Sequence, residues 1–437
     1  MSRHDTLVSL DRRHVWHPYT QEKTAPDPVP ILSGKGATLF GADGHTYTDL
    51  VSSWWVTNHG HSHPVIAKAI ADQANTLEQV IFAGFTHEPA VTLSARLSER
   101  LPGDLSRVFF SDDGSTAVEV GLKMAIQRGI NQGEKRTRFL TFEGGYHGDT
   151  VGAMSAGRAS GFFDAFGTML FQVDALPFPE TWDDDPDVEA KEAKSLSLLS
   201  DYLDRHGKEC AAMLIEPLIQ GASGMRICRP EFLKKMDEML KGTGVLTIYD
   251  EVMTGFGRTG TLFACEQADV VPDVICLSKG LTGGFMPMSV TVCTQEVYNA
   301  FLGDAFDQAL AHGHSFTANP LGCAAALASL ELYETEKTLD RIAAIARIHR
   351  ERLDDLKSRS NAHHFRALGS IAALDMRTDS TGYTSSVGPK LKAFFMERGL
   401  LIRPLGHVIY LLPPYCVSAD ELHMGWDAIG DALASIS

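Results

Sequence analysis

Short apolar runs rich in β-branched and aromatic residues alternate along the chain with stretches of helical periodicity, a pattern that predicts an α/β protein. Strands are expected at Arg107–Ser111 (RVFFS), Arg138–Phe142 (RFLTF), Ala212–Glu216 (AMLIE), Val245–Asp250 (VLTIYD) and Val274–Leu277 (VICL). Helices are expected over Pro64–Val80, where Ile66, Ile70 and Leu77 share a face, and over Ser115–Gln127, where Val118, Leu122 and Ala125 do. Strands separated by helices argue for a mostly parallel sheet covered on both faces. Pro177–Asp187 (PFPETWDDDPD) carries three prolines and five acidic residues and reads as a surface loop. After Pro320 the pattern turns helical through GCAAALASLELYE and LDRIAAIARIHRERLDDLK, then becomes mixed from about Phe365. A large domain is therefore expected at residues 65–320. The two terminal parts, 1–64 and 321–437, would form a second, smaller α/β unit.

Composition narrows the class. Of 437 residues, 44% are hydrophobic and 22% charged, which excludes a disordered chain, a collagen and a small disulfide scaffold. Nothing approaches the run of about 18 apolar residues that spans a bilayer. The opening MSRHDTLVSLDRRHVWHPYT has scattered charge and no apolar core, unlike a secretory signal. The net charge of -16 repels phosphate backbones, so neither a nucleic-acid nor a membrane partner is expected. The seven cysteines include no CxxC pair and mostly sit in apolar runs, as buried free thiols do in a reducing cytoplasm.

Two motifs fail on context. Gly255–Gly260 (GFGRTG) spells GxGxxG, but four residues, Glu251 to Thr254, separate it from the strand VLTIYD and no clear helix start follows, as a dinucleotide fingerprint requires. His59, His61 and His63 alternate in NHGHSHP, yet they sit beside Gly and Pro with no partner carboxylate in the segment, so solvated or hydrogen-bonded histidines are expected and no metal.

Three other features fit one cofactor. Ser111-Asp112-Asp113-Gly114-Ser115-Thr116 joins a strand end to a helix start, where free N–H groups and the helix dipole favour an anion. Thr116-Ala117-Val118-Glu119 would also serve as a capping box, which needs no ligand. Asp250 ends a very apolar strand, and a buried carboxylate needs a cationic partner. Lys279 follows another apolar strand, in CLSKGLTGG, where burial would lower its pKa and make it a nucleophilic amine. Together they make a pyridoxal 5'-phosphate site: Lys279 condenses with the aldehyde, Asp250 pairs with the ring nitrogen, and the helix N-terminus takes the phosphate. Tyr146, in EGGYHGDT after the strand RFLTF, is placed to stack on the ring.

The set YDEVMTGFGRTG, LSKGLTGG and HGHSFTANPLGCAAA, spread over nearly the whole chain, resembles the class III pyridoxal phosphate-dependent aminotransferases. The resemblance implies the aspartate aminotransferase-like fold, fold type I, and a homodimer with active sites at the subunit interface. It assigns Gly114 and Ser115 to the phosphate. Ser315, from the neighbouring subunit, would complete the phosphate cup at a position that is often Thr. His314 would also touch the cofactor and Gly313 the substrate. His314 stands where some members have Pro, and Asp113 where many have Ser.

Four segments, HVWHPYTQ (14–21), SSWWVTNHGHSHP, FFSDDGSTAVEVGLKMA and GGYHGDTVGAMS, are similar to one branch of that family, which serves biotin biosynthesis. That likeness implies ping-pong transfer of the amino group of S-adenosylmethionine to 8-amino-7-oxononanoate, giving 7,8-diaminononanoate. The alternative is another ω-aminotransferase using an amine, diamine or lysine donor. Of Trp54 and Trp55, adjacent residues on a strand would face opposite ways, so one is expected to wall the pocket, and the motif favours Trp54. By the same likeness Arg403, in GLLIRPLG, binds the substrate carboxylate, Tyr19 recognises both substrates, and Arg258 helps place the donor. Tyr146 and Lys279 also meet the substrate. Lys279 carries the proton as base and acid.

Overall fold

The computed structural model describes residues 1–157, 163–379, 382 and 385–436. Near the N-terminus β1 (Ile31–Lys35), β2 (Thr38–Gly41) and β3 (Thr46–Asp49) form an antiparallel meander. The chain then builds a seven-stranded sheet from β4 (Leu105–Ser111), β5 (Arg138–Phe142), β6 (Asp174–Leu176), β7 (Cys210–Ile215), β10 (Leu246–Asp250), β11 (Val274–Leu277) and β12 (Ser289–Thr294). A two-stranded ribbon, β8 (Ile219–Gln220) and β9 (Arg226–Ile227), interrupts it. The spatial order is β4-β12-β11-β10-β7-β5-β6. Only β12 runs against its neighbours, β4 and β11; the remaining pairings are parallel.

Every residue of β7, β10, β11 and β12 is buried. Strands covered on both faces read as unbroken apolar runs, which is why CAAMLI and VICL stand out in the sequence. The helix Gly114–Asn131 lies on one face, burying Ala117, Val118, Val120, Leu122 and Ala125. The apolar helix Pro320–Thr335 packs on Pro64–Ala74. Toward the C-terminus β13 (Ala362–Leu368), β14 (Ile371–Met376) and β16 (Val408–Leu411) form an antiparallel sheet beside the helices Thr338–Leu356 and Ala419–Ser435. β15 (Leu400–Leu401) instead pairs with β3, so one small sheet joins residues from both ends of the chain.

Several boundaries moved. The first expected helix stops at Ala74, six residues short of Val80, because Asn75 caps it and returns its side-chain amide to the Ala71 carbonyl at 2.8 Å. The second runs one turn further than expected, to Asn131. The capping box is formed not by Thr116 and Glu119 but by Asp113 and Thr116: Asp113 Oδ1 accepts from the Thr116 N–H at 2.9 Å, and Thr116 Oγ1 from the Asp113 N–H at 3.1 Å. Glu119 instead accepts the Gly152 N–H at 2.6 Å and so fixes the next helix, Val151–Ala156. The acidic loop Pro177–Asp187 is not all surface: Phe178 is buried edge-on against Phe142, with centroids 5.6 Å apart.

Candidate active site

Parallel strands bring their carboxyl ends to one edge, and ligands bind there in open α/β sheets. Five strand ends converge around a cavity of about 770 Å³ lined by Gly114, Ser115, Tyr146, Glu216, Asp250 and Lys279. The register explains the closeness: Tyr249 pairs with Ile215, which sets Asp250 level with Glu216, and Asp250 pairs with Cys276, three residues before Lys279.

Lys279 has φ 46, a left-handed backbone that turns the chain sharply after β11. Burial pushes its amine from the ordinary 10.5 down to about 8, against the opposing pull of Asp250 and Glu216. Its Nζ lies 5.0 Å from the centroid of the Trp55 ring. Asp250 is buried, and its Oδ2 lies 2.8 Å from His147 Nδ1 while Oδ1 accepts the Val252 N–H at 3.1 Å. The imidazole is thus the cationic or donor partner that a buried carboxylate requires. Glu216 accepts the N–H groups of Tyr146 and Gly221, both at 3.1 Å, and burial pushes its carboxyl up to about 7.

The anion site is built as its local sequence suggests. Asp113 takes the Thr116 N–H through its side chain and the Ala117 N–H through its carbonyl at 3.0 Å. The N–H groups of Gly114 and Ser115 are left at the cavity wall, where a helix has no internal acceptor for them. A Cβ on Gly114 would come within 2.6 Å of Val252 Cγ1, so only glycine fits. Ser115 Oγ lies 2.6 Å from Thr150 Oγ1 and accepts the Thr150 N–H at 2.9 Å. Gly148, with φ 115, lies so near that a Cβ there would be 2.4 Å from that of Ser115.

At the mouth, Tyr19 donates to Asp149 Oδ2 at 2.8 Å and Tyr146 donates to Asp149 Oδ1 at 3.1 Å. Burial, then the neighbouring Tyr19 and Asp149, push the Tyr146 phenol up, so it stays protonated. Tyr19 meets Trp54 edge-on at 5.7 Å, and the Arg403 guanidinium lies 4.4 Å above the Trp54 ring. Both tryptophans line the cavity, which corrects the expectation that only one would. They lie in a tight turn, not a strand: Ser52, Ser53 and Trp55 have φ of 50, 60 and 66. Such conformations cost roughly 1 kcal/mol or more each. The fully buried Asp49 braces them, accepting the Val51 N–H at 3.1 Å and the Ser53 N–H at 2.7 Å. Trp55 is buried with its Nε1–H on the Tyr410 hydroxyl at 2.9 Å; Trp54 is 41% exposed and faces the opening.

Four expected residues lie elsewhere. Arg258 is buried; it donates to the Pro413 carbonyl at 2.9 Å and to Asn58 Oδ1 at 2.8 Å, and its guanidinium lies 4.8 Å from the Tyr415 ring centroid. It lies off the residues that line the cavity, although its charge still bears on the Lys279 amine. Gly313, His314 and Ser315 also lie off this chain's cavity wall. Gly313 and Ser315 are exposed, and His314 Nδ1 is 3.5 Å from Asp112 Oδ2. His59, His61 and His63 go to three different partners, Ser329, Asp49 and Glu336, at 3.2, 2.9 and 3.1 Å.

Sequence reasoning passed over His147, Glu216, Asp149 and Asp49. His147 and Asp149 flank the singled-out Tyr146, and Glu216 ends a named strand, so an acid or imidazole at the binding edge was the available signal. Asp49 offers none.

The donor set fits pyridoxal 5'-phosphate: a desolvated amine, a buried carboxylate held by an imidazole, and helix N–H groups with a serine hydroxyl meet the demands of aldehyde, ring nitrogen and phosphate. The profile described as aminotransferase class-III matches residues 19–433. A Synechococcus elongatus protein named adenosylmethionine-8-amino-7-oxononanoate aminotransferase is 51% identical over 423 residues, covering 97% of this chain and 99% of its own. A solved Methanocaldococcus jannaschii structure of the same name gives a TM-score of 0.91 at 34% identity, covering 98% of this chain and 99% of that one. An amine transaminase from an uncultivated Pseudomonas species, in its PLP-bound form, gives 0.90 at 31% identity, covering 97% and 99%.

Proposed function

The chain belongs to the class III aminotransferases, and we propose that it transfers the amino group of S-adenosylmethionine to 8-amino-7-oxononanoate, giving 7,8-diaminononanoate in biotin biosynthesis. The observation that carries this choice is the shape and charge of the cavity. The Trp54 ring, with the Arg403 guanidinium 4.4 Å above it, offers a methylene chain an apolar wall that ends in a carboxylate partner.

Pyridoxal 5'-phosphate, when bound, supplies the aldehyde that carries the amino group and a ring that draws electrons from the donor's Cα. The protein's own groups do the rest. Gly114 and Ser115 would hold the phosphate through their N–H groups and the Ser115 hydroxyl. Asp250 would keep the ring nitrogen protonated, with His147 orienting the carboxylate from behind. Tyr146 would stack on the ring, its loop pinned through the Glu216 carboxylate. The Lys279 amine, lowered to about 8, is neutral often enough near pH 7 to take the proton from the donor's Cα. In the return half it delivers a proton to C7 of the oxo acid. Tyr19 and Asp149, at the mouth, meet whichever substrate is present.

The active unit is proposed to be a cytoplasmic homodimer, with Gly313, His314 and Ser315 completing the phosphate cup of the neighbouring chain. The exposure of Gly313 and Ser315 outside their own chain's cavity supports that reading, as do seven free thiols for a reducing compartment. The test is spectroscopic. Adding S-adenosylmethionine to the yellow holoenzyme should bleach its visible band, and 8-amino-7-oxononanoate should restore it with formation of 7,8-diaminononanoate by mass spectrometry. Bleaching by simple amines, diamines or lysine and not by S-adenosylmethionine would instead favour a general ω-aminotransferase.

A further inference from the structure

Away from the cavity, two consecutive imidazoles point the same way, which a regular strand forbids. β13 and β14 pair as Ala362↔Met376 and His363↔Asp375, then resume at Arg366↔Ala373, so β13 carries one extra residue. His364 occupies this bulge with φ 49, a left-handed conformation costly for a residue with a Cβ. The bulge turns both rings toward Asp375, with centroids 4.2 Å apart. His364 Nδ1 lies 2.9 Å from Asp375 Oδ2, and His363 Nδ1 lies 3.1 Å from the Asp375 backbone carbonyl. Among the described residues, His363, His364 and Asp375 form the cluster in which one ligand atom from each lies within 4.8 Å of the others.

The surroundings shelter and orient this group. The Trp182 indole lies on the His364 ring at 3.7 Å. Arg366 donates to Asp375 Oδ1 at 2.8 Å, which fixes the carboxylate and leaves Oδ2 facing the imidazoles. His407 Nε2 stands 4.0 Å from the same Oδ2. Two nitrogens and one carboxylate oxygen suit a borderline-soft divalent ion, not Mg²⁺ or Ca²⁺, which take oxygen ligands.

We propose that His363, His364 and Asp375 form a binding site for a divalent transition metal of the zinc class, with water at the remaining position, separate from the Lys279 cavity. The positive Arg366 beside the carboxylate weakens the site, so the ion exchanges with solution. Chelator-treated holoenzyme titrated calorimetrically with Zn²⁺ should take up one ion per chain through this cluster. His363→Gln and His364→Asn should each weaken that binding at least tenfold; Asn tolerates the left-handed backbone, and the cofactor's visible band reports whether each variant folds. Affinity unchanged in both variants would overturn the proposal. Wild-type protein alone gives an independent reading with Co²⁺. Weak visible bands of nitrogen and oxygen ligation, with quenching of Trp182 emission that Trp182→Phe abolishes, are expected. An intense thiolate-to-cobalt band, or no uptake, would overturn the assignment.

Discussion

Lys279 is expected to react as a neutral amine at a pH where an exposed lysine is almost wholly charged. Burial lowers it from 10.5 to about 8. At pH 7 the neutral fraction is then about 10%, against about 0.03% for an unperturbed lysine, a gain of about 300-fold. The assay is the rate at which cofactor-free protein is labelled by pyridoxal 5'-phosphate, trapped with borohydride and mapped to Lys279 by mass spectrometry. The rate should level off near pH 8. Glu216→Gln should move the inflection lower, because that carboxylate favours the charged amine. A second readout follows from linkage. Between about pH 8 and 10.5 the unfolded chain holds a proton on this lysine that the folded chain has shed, so stability of the cofactor-free protein rises with pH across that window. The full rise is worth about 3 kcal/mol, and Lys279→Met should remove it. A labelling inflection at 10 or above, or an upward move in Glu216→Gln, would refute the reasoning.

Three further outcomes test other parts of the site. Asp149→Asn removes the charge that accepts both the Tyr19 and Tyr146 hydroxyls, and should lower kcat/KM by about 10- to 100-fold with little change in melting temperature. Arg403→Met should raise KM for 8-amino-7-oxononanoate by about 100-fold while altering the half-reaction with S-adenosylmethionine far less, as stopped-flow absorbance can separate. Arg258→Ala leaves the Pro413 carbonyl and Asn58 Oδ1 without their donor and should cost about 3 kcal/mol in urea denaturation. Were Arg258 a donor-binding residue, KM would shift instead.

Local chemistry was legible where a few neighbouring residues suffice to define it. β5 and β11 were expected with their observed limits, since strands buried on both faces read as mainly apolar runs. β6 was not expected, because three residues carry no period; β12 was passed over although Val290 and Val292 alternate with hydroxyl-bearing residues in SVTVCT. The tryptophan pair misled because strand alternation was assumed. Its actual turn depends on Asp49 and on the Leu412 carbonyl, which accepts the Ser52 hydroxyl at 2.8 Å from 360 residues away. The placement of Arg258 was illegible for the same reason: its partners, Asn58 and Pro413, are remote in sequence.

By itself, then, the sequence determined the α/β architecture and the identity of the amine, the carboxylate and the anion-binding turn, since each follows a strand end and strand ends are marked by apolar runs stopping. Only the tertiary structure decided that His147 stands behind Asp250, that Glu216 ties the Tyr146 loop, that both tryptophans face the cavity and that Arg258 does not. Those are contacts between segments far apart in the chain, and their distances are set by packing of the whole core, which no local spacing of residues encodes.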